Sequence, residues 1–136
     1  MKTRELQHAV APVSTMSIKI RYNTRGASVN SSEKAGQALA YLSKHSPKQY
    51  GKYLEFTKEL ASMDALNHKQ LELIMVACAV MSQCEMCIAI HVEGAASMGA
   101  TKEEILQSAF MAVAMGGSPK MMYMSYVYEA VEDLFG

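Results

Sequence analysis

Cys84 and Cys87 stand three residues apart, and His91 follows four beyond the second of them. At roughly 100° per residue on a helix, Cys87 falls about 300° past Cys84 and His91 about 40° past Cys87. The three side chains therefore share an arc of about 60° on one face. Two thiols at this spacing can close a disulfide at a helix start with little backbone movement. A cysteine in the first turn meets unpaired N–H groups and the positive end of the helix dipole, which favour a thiolate. A histidine one turn below Cys87 can accept its proton or relay it. An activated sulfur, a partner sulfur and a base are what thiol redox chemistry requires. Which sulfur attacks stays open at this level, because the helix dipole favours Cys84 and the contact with His91 favours Cys87.

A fourth residue draws attention by its surroundings. Glu72 is the lone acid in Leu71-Glu72-Leu73-Ile74-Met75, and a carboxylate is costly to bury in an apolar helix unless something pairs with it. Placed against His91, directly or through water, it would orient the imidazole and hold its proton. The plain alternative is that it lies on the one wet edge of its helix. A C-x-x-C pair is also half of a zinc site, which would take two more ligands from a second Cys/His pair. His8, His45, His68 and Cys78 show no such paired spacing, and the residues require no metal, flavin or haem.

These side chains need helices to hold them, and the punctuation from residue 31 onward is that of a helical bundle. Ser32 can cap a helix over 32–44, with Ala35, Leu39 and Leu42 on one side. Ser46-Pro47 is a start signal for a helix to about 62, burying Tyr50, Leu54, Phe56 and Leu60. Asn67 and Gln70 have capping-box spacing before the nearly all-apolar stretch 71–81, which belongs at the centre of the bundle. Ser82 is the expected cap of the cysteine helix, which ends at Gly99. Thr101 with Glu104 opens another helix, Gly116-Gly117 breaks it, and Ser118-Pro119 starts the last, running to about 134. Six helices with short connections predict an all-α, single-domain fold.

Composition sets the outer bounds. With 136 residues, half of them hydrophobic and 19% charged, the chain can bury a core and is not intrinsically disordered. Lys+Arg and Asp+Glu both total 13, so no net field draws in nucleic acid or an acidic membrane surface. The longest apolar run, 73–81, is far shorter than a membrane helix needs. Residues 1–30 carry five basic residues (Lys2, Arg4, Lys19, Arg21, Arg25) and one acid, Glu5. They read as an irregular basic extension ahead of a helical domain over 31–136, with a short extended stretch at 17–22. Three cysteines, an odd number, fit a reducing, cytoplasmic setting better than a disulfide framework.

The run Cys84-Glu85-Met86-Cys87-Ile88-Ala89-Ile90-His91, followed by Gly99-Ala100-Thr101-Lys102-Glu103-Glu104-Ile105, resembles the alkylhydroperoxidase D-like branch of the carboxymuconolactone decarboxylase superfamily. Glu72, twelve positions before the first motif cysteine, and the Gly116-Gly117 break extend the likeness over roughly residues 35–135. The resemblance implies a peroxidase in which Cys87 attacks the peroxide, Cys84 resolves the sulfenic acid, and His91 with Glu72 relays the proton. It also implies a small hydroperoxide substrate, a thioredoxin-like or dihydrolipoyl reductant, and assembly into homotrimers or homohexamers. One departure stands out: some members carry a second histidine directly before the second cysteine, where this chain has Met86. The branch without cysteines contains ring-opening decarboxylases, so a cofactorless lyase is the alternative, and a non-catalytic redox sensor a further one.

Other residues read as structure. Cys78 lies about 240° round the helix from Glu72 and is expected to be a buried core thiol. Met121, Met122 and Met124, among twelve methionines, make a packing surface rather than a copper site. Glu129, Glu132 and Asp133 are expected on a solvated face.

Overall fold

The computed structural model describes residues 27–136, with side chains from residue 31. The basic arm, its extended stretch at 17–22 and His8 lie outside the described residues. Six helices follow in order: α1 (Ala27–His45), α2 (Pro47–Ala61), α3 (His68–Met81), α4 (Glu85–Ser97), α5 (Lys102–Gly116) and α6 (Ser118–Phe135). Among the described residues there is no strand, so the fold is all-α as expected. No helix of the described residues is long and apolar enough to cross a membrane.

Local chemistry accounts for the boundaries. The Asn67 side chain accepts from the Gln70 N–H at 2.9 Å while Gln70 Oε1 accepts from the Asn67 N–H at 3.0 Å. Thr101 and Glu104 make the same reciprocal pair at the head of α5, so both expected capping boxes form. Pro47 occupies the first turn of α2, and Pro119 that of α6. Gly99, at φ 86°, ends α4 in the left-handed region where a β-carbon is costly. The Gly99 N–H reaches Ala96 O and the Ala100 N–H reaches Ala95 O, a Schellman closure.

The core sits between α3, α4, α5 and α6. Val76 and Val80 of α3, Ile88 and Val92 of α4, Ile105 of α5, and Val127 and Val131 of α6 are fully buried. Alanines (Ala79, Ala95, Ala109, Ala112, Ala130) fill the close approaches between them. Ser108 Oγ donates to the Leu73 carbonyl and ties α5 to α3. The Lys69–Glu104 pair, 2.9 Å, ties their N-terminal ends.

Four expectations change. α1 begins at Ala27, ahead of Ser32. Ser82 is the C-cap of α3, not the cap of α4. α2 buries none of its residues: Tyr50 is half-buried, while Leu54, Phe56 and Leu60 are 47–58% exposed. Leu39 and Leu42 of α1 are exposed as well, with Ala35 alone of its stripe buried. The reason is topological: among the described residues α2 packs chiefly on α1, at the margin of the four-helix core. Amphipathic periodicity announces an apolar face without saying whether this chain supplies what covers it.

Candidate active site

The head of α4 is shaped by how α3 ends. The Gln83 N–H bonds to Val80 O and the Cys84 N–H to Ala79 O, at 3.1 and 3.2 Å. This is another Schellman closure, but its left-handed residue, at φ 53°, is Gln83 instead of glycine. A side chain there costs roughly 1–2 kcal/mol, and Gln83 Oε1 accepts from Lys120 Nζ at 2.9 Å. The chain leaves the turn extended at Cys84, which is the N-cap of α4, and the Cys84 sulfur accepts from the Cys87 N–H at 3.2 Å. Cys84 and Cys87 form a disulfide with their Cα atoms 5.2 Å apart. Both are partly exposed, so a reductant can reach them.

On α3, Glu72 faces the same side of α4. Its Oε2 lies 2.8 Å from His91 Nδ1, the two side chains being 31% and 21% exposed. A carboxylate on Nδ1 favours the tautomer that carries its proton there, leaving Nε2 free to take or give one. His91 lies one helical turn beyond Cys87, so the structure brings Glu72, His91 and the disulfide to one stretch of the α3–α4 seam. Glu72 is thus partly buried and paired rather than on a wet edge.

Gly94 makes this pairing possible. A β-carbon at Gly94 would lie 2.7 Å from Glu72 Oε2, inside any allowed contact, and the carboxylate would have to move. Sequence reading passed over Gly94, although a glycine inside a helix, three residues past His91, was a usable signal: it costs about 1 kcal/mol against alanine and implies a close approach. Gln83 and Lys120 gave no such signal, since glutamine is not the residue a left-handed cap announces.

Beyond the Cys84–Cys87 pair, Glu129 and Cys78 lie where the sequence did not place them. Glu129 is only 9% exposed, against the expected solvated face, and its Oε2 is buried with no hydrogen-bond partner. Burial, then the charges of Asp133 and Glu85, push its carboxyl above the usual range. Tyr126 is raised as well, by burial first and then by the Glu85 carboxylate lying against its hydroxyl. Glu104 moves the opposite way, held low by the Lys69 hydrogen bond and then by the Thr101 N–H. Cys78 also departs from expectation, being exposed rather than a core thiol. It shares a stripe with Ile74, Met75 and Met81, all exposed, on a side of α3 that no helix of the described residues covers. Met124 is buried, but Met121 and Met122 are 47% and 63% exposed. His45 and His68 sit exposed near helix ends as expected. Among the described residues, no group of three His, Cys, Asp or Glu side chains is placed to hold a metal.

An all-α bundle with a C-x-x-C pair at the head of one core helix and a paired histidine and glutamate on its flank defines a class, and comparison with known proteins identifies the family. Residues 47–130 match the model of the carboxymuconolactone decarboxylase family, and the chain belongs to it. A carboxymuconolactone decarboxylase family protein from Legionella pneumophila, solved in its apo form, superposes with a TM-score of 0.74 at 32% identity. That match covers 80% of this chain and 97% of the other. "Uncharacterized protein 4 in cox locus" of Paracoccus denitrificans is 29% identical over 103 residues, covering 76% of this chain and 93% of its own. The motif residues quoted above are consistent with the alkylhydroperoxidase D-like branch of this superfamily.

Proposed function

We propose that the protein is a thiol-dependent peroxidase and disulfide oxidoreductase acting on small hydroperoxides. The observation that supports this reading most is the disulfide at the head of α4 together with the His91–Glu72 pair one turn below it. In the reduced protein, His91 Nε2 takes the proton of Cys87, and Glu72 on Nδ1 stabilises the imidazolium that results. The Cys87 thiolate attacks the terminal peroxide oxygen. The O–O bond breaks, the alkoxide leaves and collects a proton from the relay, and Cys87 becomes a sulfenic acid. The Cys84 thiol then attacks the sulfenic sulfur, releasing water and forming the disulfide. A dithiol, either a thioredoxin-like protein or a dihydrolipoyl group, restores both thiols and is itself oxidised to a disulfide.

The assignment of Cys87 as attacking sulfur gains support from its place one turn from His91 and its packing against the core, whereas Cys84 is the N-cap of the helix. Assembly as a homotrimer or homohexamer belongs to the same proposal. It rests on the exposed apolar faces of α2 (Tyr53, Leu54, Phe56, Leu60) and α3 (Ile74, Met75, Met81), since contiguous exposed apolar surface marks interaction sites. Met86, where a second histidine stands in some relatives, leaves His91 as the relay histidine of the motif.

The test is consumption of cumene hydroperoxide by pre-reduced protein, with intact mass before and after. Turnover, a mass loss of two hydrogens in the wild type, and a trapped sulfenic acid in Cys84→Ser support the reading. Retention of both thiols after excess hydroperoxide sinks it. The family name supports a second reading, cofactorless opening of a lactone with His91 and Glu72 moving the proton. It predicts lactone turnover that survives Cys84→Ser/Cys87→Ser and is lost in His91→Ala.

A further inference from the structure

We propose that Lys120 is a positioning residue for the Cys84–Cys87 pair, and that residue 116 is glycine so that the lysine can reach the turn ahead of Cys84. The inference rests on the redox-active reading of that pair. It gives a role to two residues which the relay of His91 and Glu72 does not use.

The two glycines of the Gly116-Gly117 break have different reasons to be there. Only Gly117 has a positive φ, 72°, so the turn from α5 into α6 calls for glycine at that position. Gly116 is the last residue of α5 and has no such need, yet glycine in a helix is costly against alanine. What needs it is Lys120, in the first turn of α6, whose stem lies across it. A β-carbon at Gly116 would lie 2.4 Å from Lys120 Cγ, 3.0 Å from its Cε and 3.1 Å from Met81 Sδ. The first of these contacts is near the root of the side chain, so the whole lysine would have to swing away. Met81 ends α3, so the ends of α3 and α5 and the start of α6 meet here.

Past Gly116 the stem reaches the turn between α3 and α4, where Lys120 Nζ donates to Gln83 Oε1 at 2.9 Å. Among the described residues, Gln83 is the non-glycine at positive φ, 53°, a conformation that a side chain disfavours. Its N–H is held by Val80 O and its side chain by Lys120, and the next residue is Cys84. The lysine is itself anchored, its N–H bonding to Gly117 O at 3.0 Å, and it is half-buried. Lys120 thus straps the start of α6 to the turn that presents Cys84.

A strap shifts an equilibrium only if it holds one state more firmly than the other. With the disulfide closed, Cys84 is bonded to the first turn of α4 and the peptide ahead of it has nowhere to move. The Lys120 bond then forms at no further cost. With the disulfide open, Cys84 keeps its N–H bond to Ala79 O and the contact of its sulfur with the Cys87 N–H, both weaker than a covalent bond. Gln83 is then able to relax out of the left-handed region. Lys120 opposes that relaxation, keeps one thiol close to the other and so favours closure. An ammonium acting by its charge alone does the reverse, because it favours a thiolate and hence the open form. The sign of the shift separates the two.

The experiment is redox equilibrium of the full chain at pH 7 against mixtures of reduced and oxidised dithiothreitol, with alkylated thiols of Cys84 and Cys87 resolved from Cys78 by peptide mass. Two electrons and two protons pass from the protein dithiol to oxidised dithiothreitol as one S–S bond forms and another breaks. Lys120→Met keeps the stem and removes the donor, whereas Gly116→Ala keeps the lysine and blocks its path. Each is expected to lower the equilibrium constant for disulfide formation about three- to tenfold, the ratio one hydrogen bond is worth. The double variant is expected to fall no further than either, since both changes break one bond. Unchanged constants overturn the proposal, and so do falls that add in the double variant. A rise in Lys120→Met also overturns it, making Lys120 a charge acting on the thiolates. If one single variant does not fold, the other decides. None of these readouts uses a peroxide. Wild-type protein that equilibrates with dithiothreitol but consumes no hydroperoxide fails the peroxidase reading alone, whereas a pair that dithiothreitol never opens overturns the redox reading and this inference with it.

Discussion

At the scale of single residues, the seam between α3 and α4 is arranged around one carboxylate. Glu72 is useful only where Gly94 leaves room for it, and that makes two substitutions informative in different ways. Glu72→Gln keeps the volume and removes the charge that stabilises a protonated His91. Peroxide turnover should fall by about 10- to 100-fold, the usual loss when the partner of a working histidine is removed, with the melting temperature little changed. Gly94→Ala should raise helix stability by up to about 1 kcal/mol while pushing the carboxylate off His91, so stability and activity move in opposite directions. Urea denaturation and a peroxide assay on the same sample check both, and parallel losses would mean the glycine is there for packing alone. Gln83 offers a third test. Gln83→Gly removes the left-handed penalty of about 1 kcal/mol, and any loss of activity it brings measures what the Lys120 hydrogen bond contributes to holding Cys84.

At the scale of elements, α4 differs from its neighbours in how it starts. α3 and α5 open with capping boxes on Asn67 and Thr101, each worth about 1 kcal/mol, and Asn67→Ala or Thr101→Ala should lower stability by that amount. α4 opens on a sulfur that is also a disulfide partner, so oxidation state and helix start are one variable. Reduction should therefore loosen the first turn of α4, seen as faster amide exchange at Met86 and Cys87, while α3 and α5 stay protected. The capping boxes were legible because a cap is a short-range pattern, three residues written side by side. The start of α4 was misread at Ser82 because the real signal, a left-handed Gln83 ending α3, has no residue-type signature. The peripheral position of α2 was equally hidden, since Leu54, Phe56 and Leu60 spell an apolar face whether or not another helix of this chain meets it.

At the scale of the whole molecule, two acids pull stability against pH in opposite directions. Glu104 is held low by Lys69 and Thr101, so its contribution is present above the ordinary carboxylate pKa of about 4.3 and is lost as pH falls through its lowered value. Glu129 is raised, so the folded protein binds its proton more tightly than the unfolded chain. Its contribution is full below the ordinary value and is lost as pH rises through its raised one. Urea midpoints against pH should show the acid limb flattened in Glu104→Gln and the limb above it flattened in Glu129→Gln. The uncovered stripes of α2 and α3 carry the other prediction at this scale. Leu54→Glu/Phe56→Glu should reduce the assembly mass in sedimentation without unfolding the core, because neither side chain is buried within the chain.

The order of residues by itself determined six helices, the capping boxes, and the alignment of Cys84, Cys87 and His91 on one face, because these depend on contacts within a turn or two of helix. It also marked Glu72 as a carboxylate in need of a partner. Only the tertiary structure decided that the partner is His91 at 2.8 Å, that Gly94 clears the space, and that Cys78 faces outward. The burial of Glu129 was likewise settled by how the helices pack around α6, not by its own sequence neighbours. Such facts depend on which helix lies against which, and a carboxylate reads the same in sequence whether water or another helix waits on its far side.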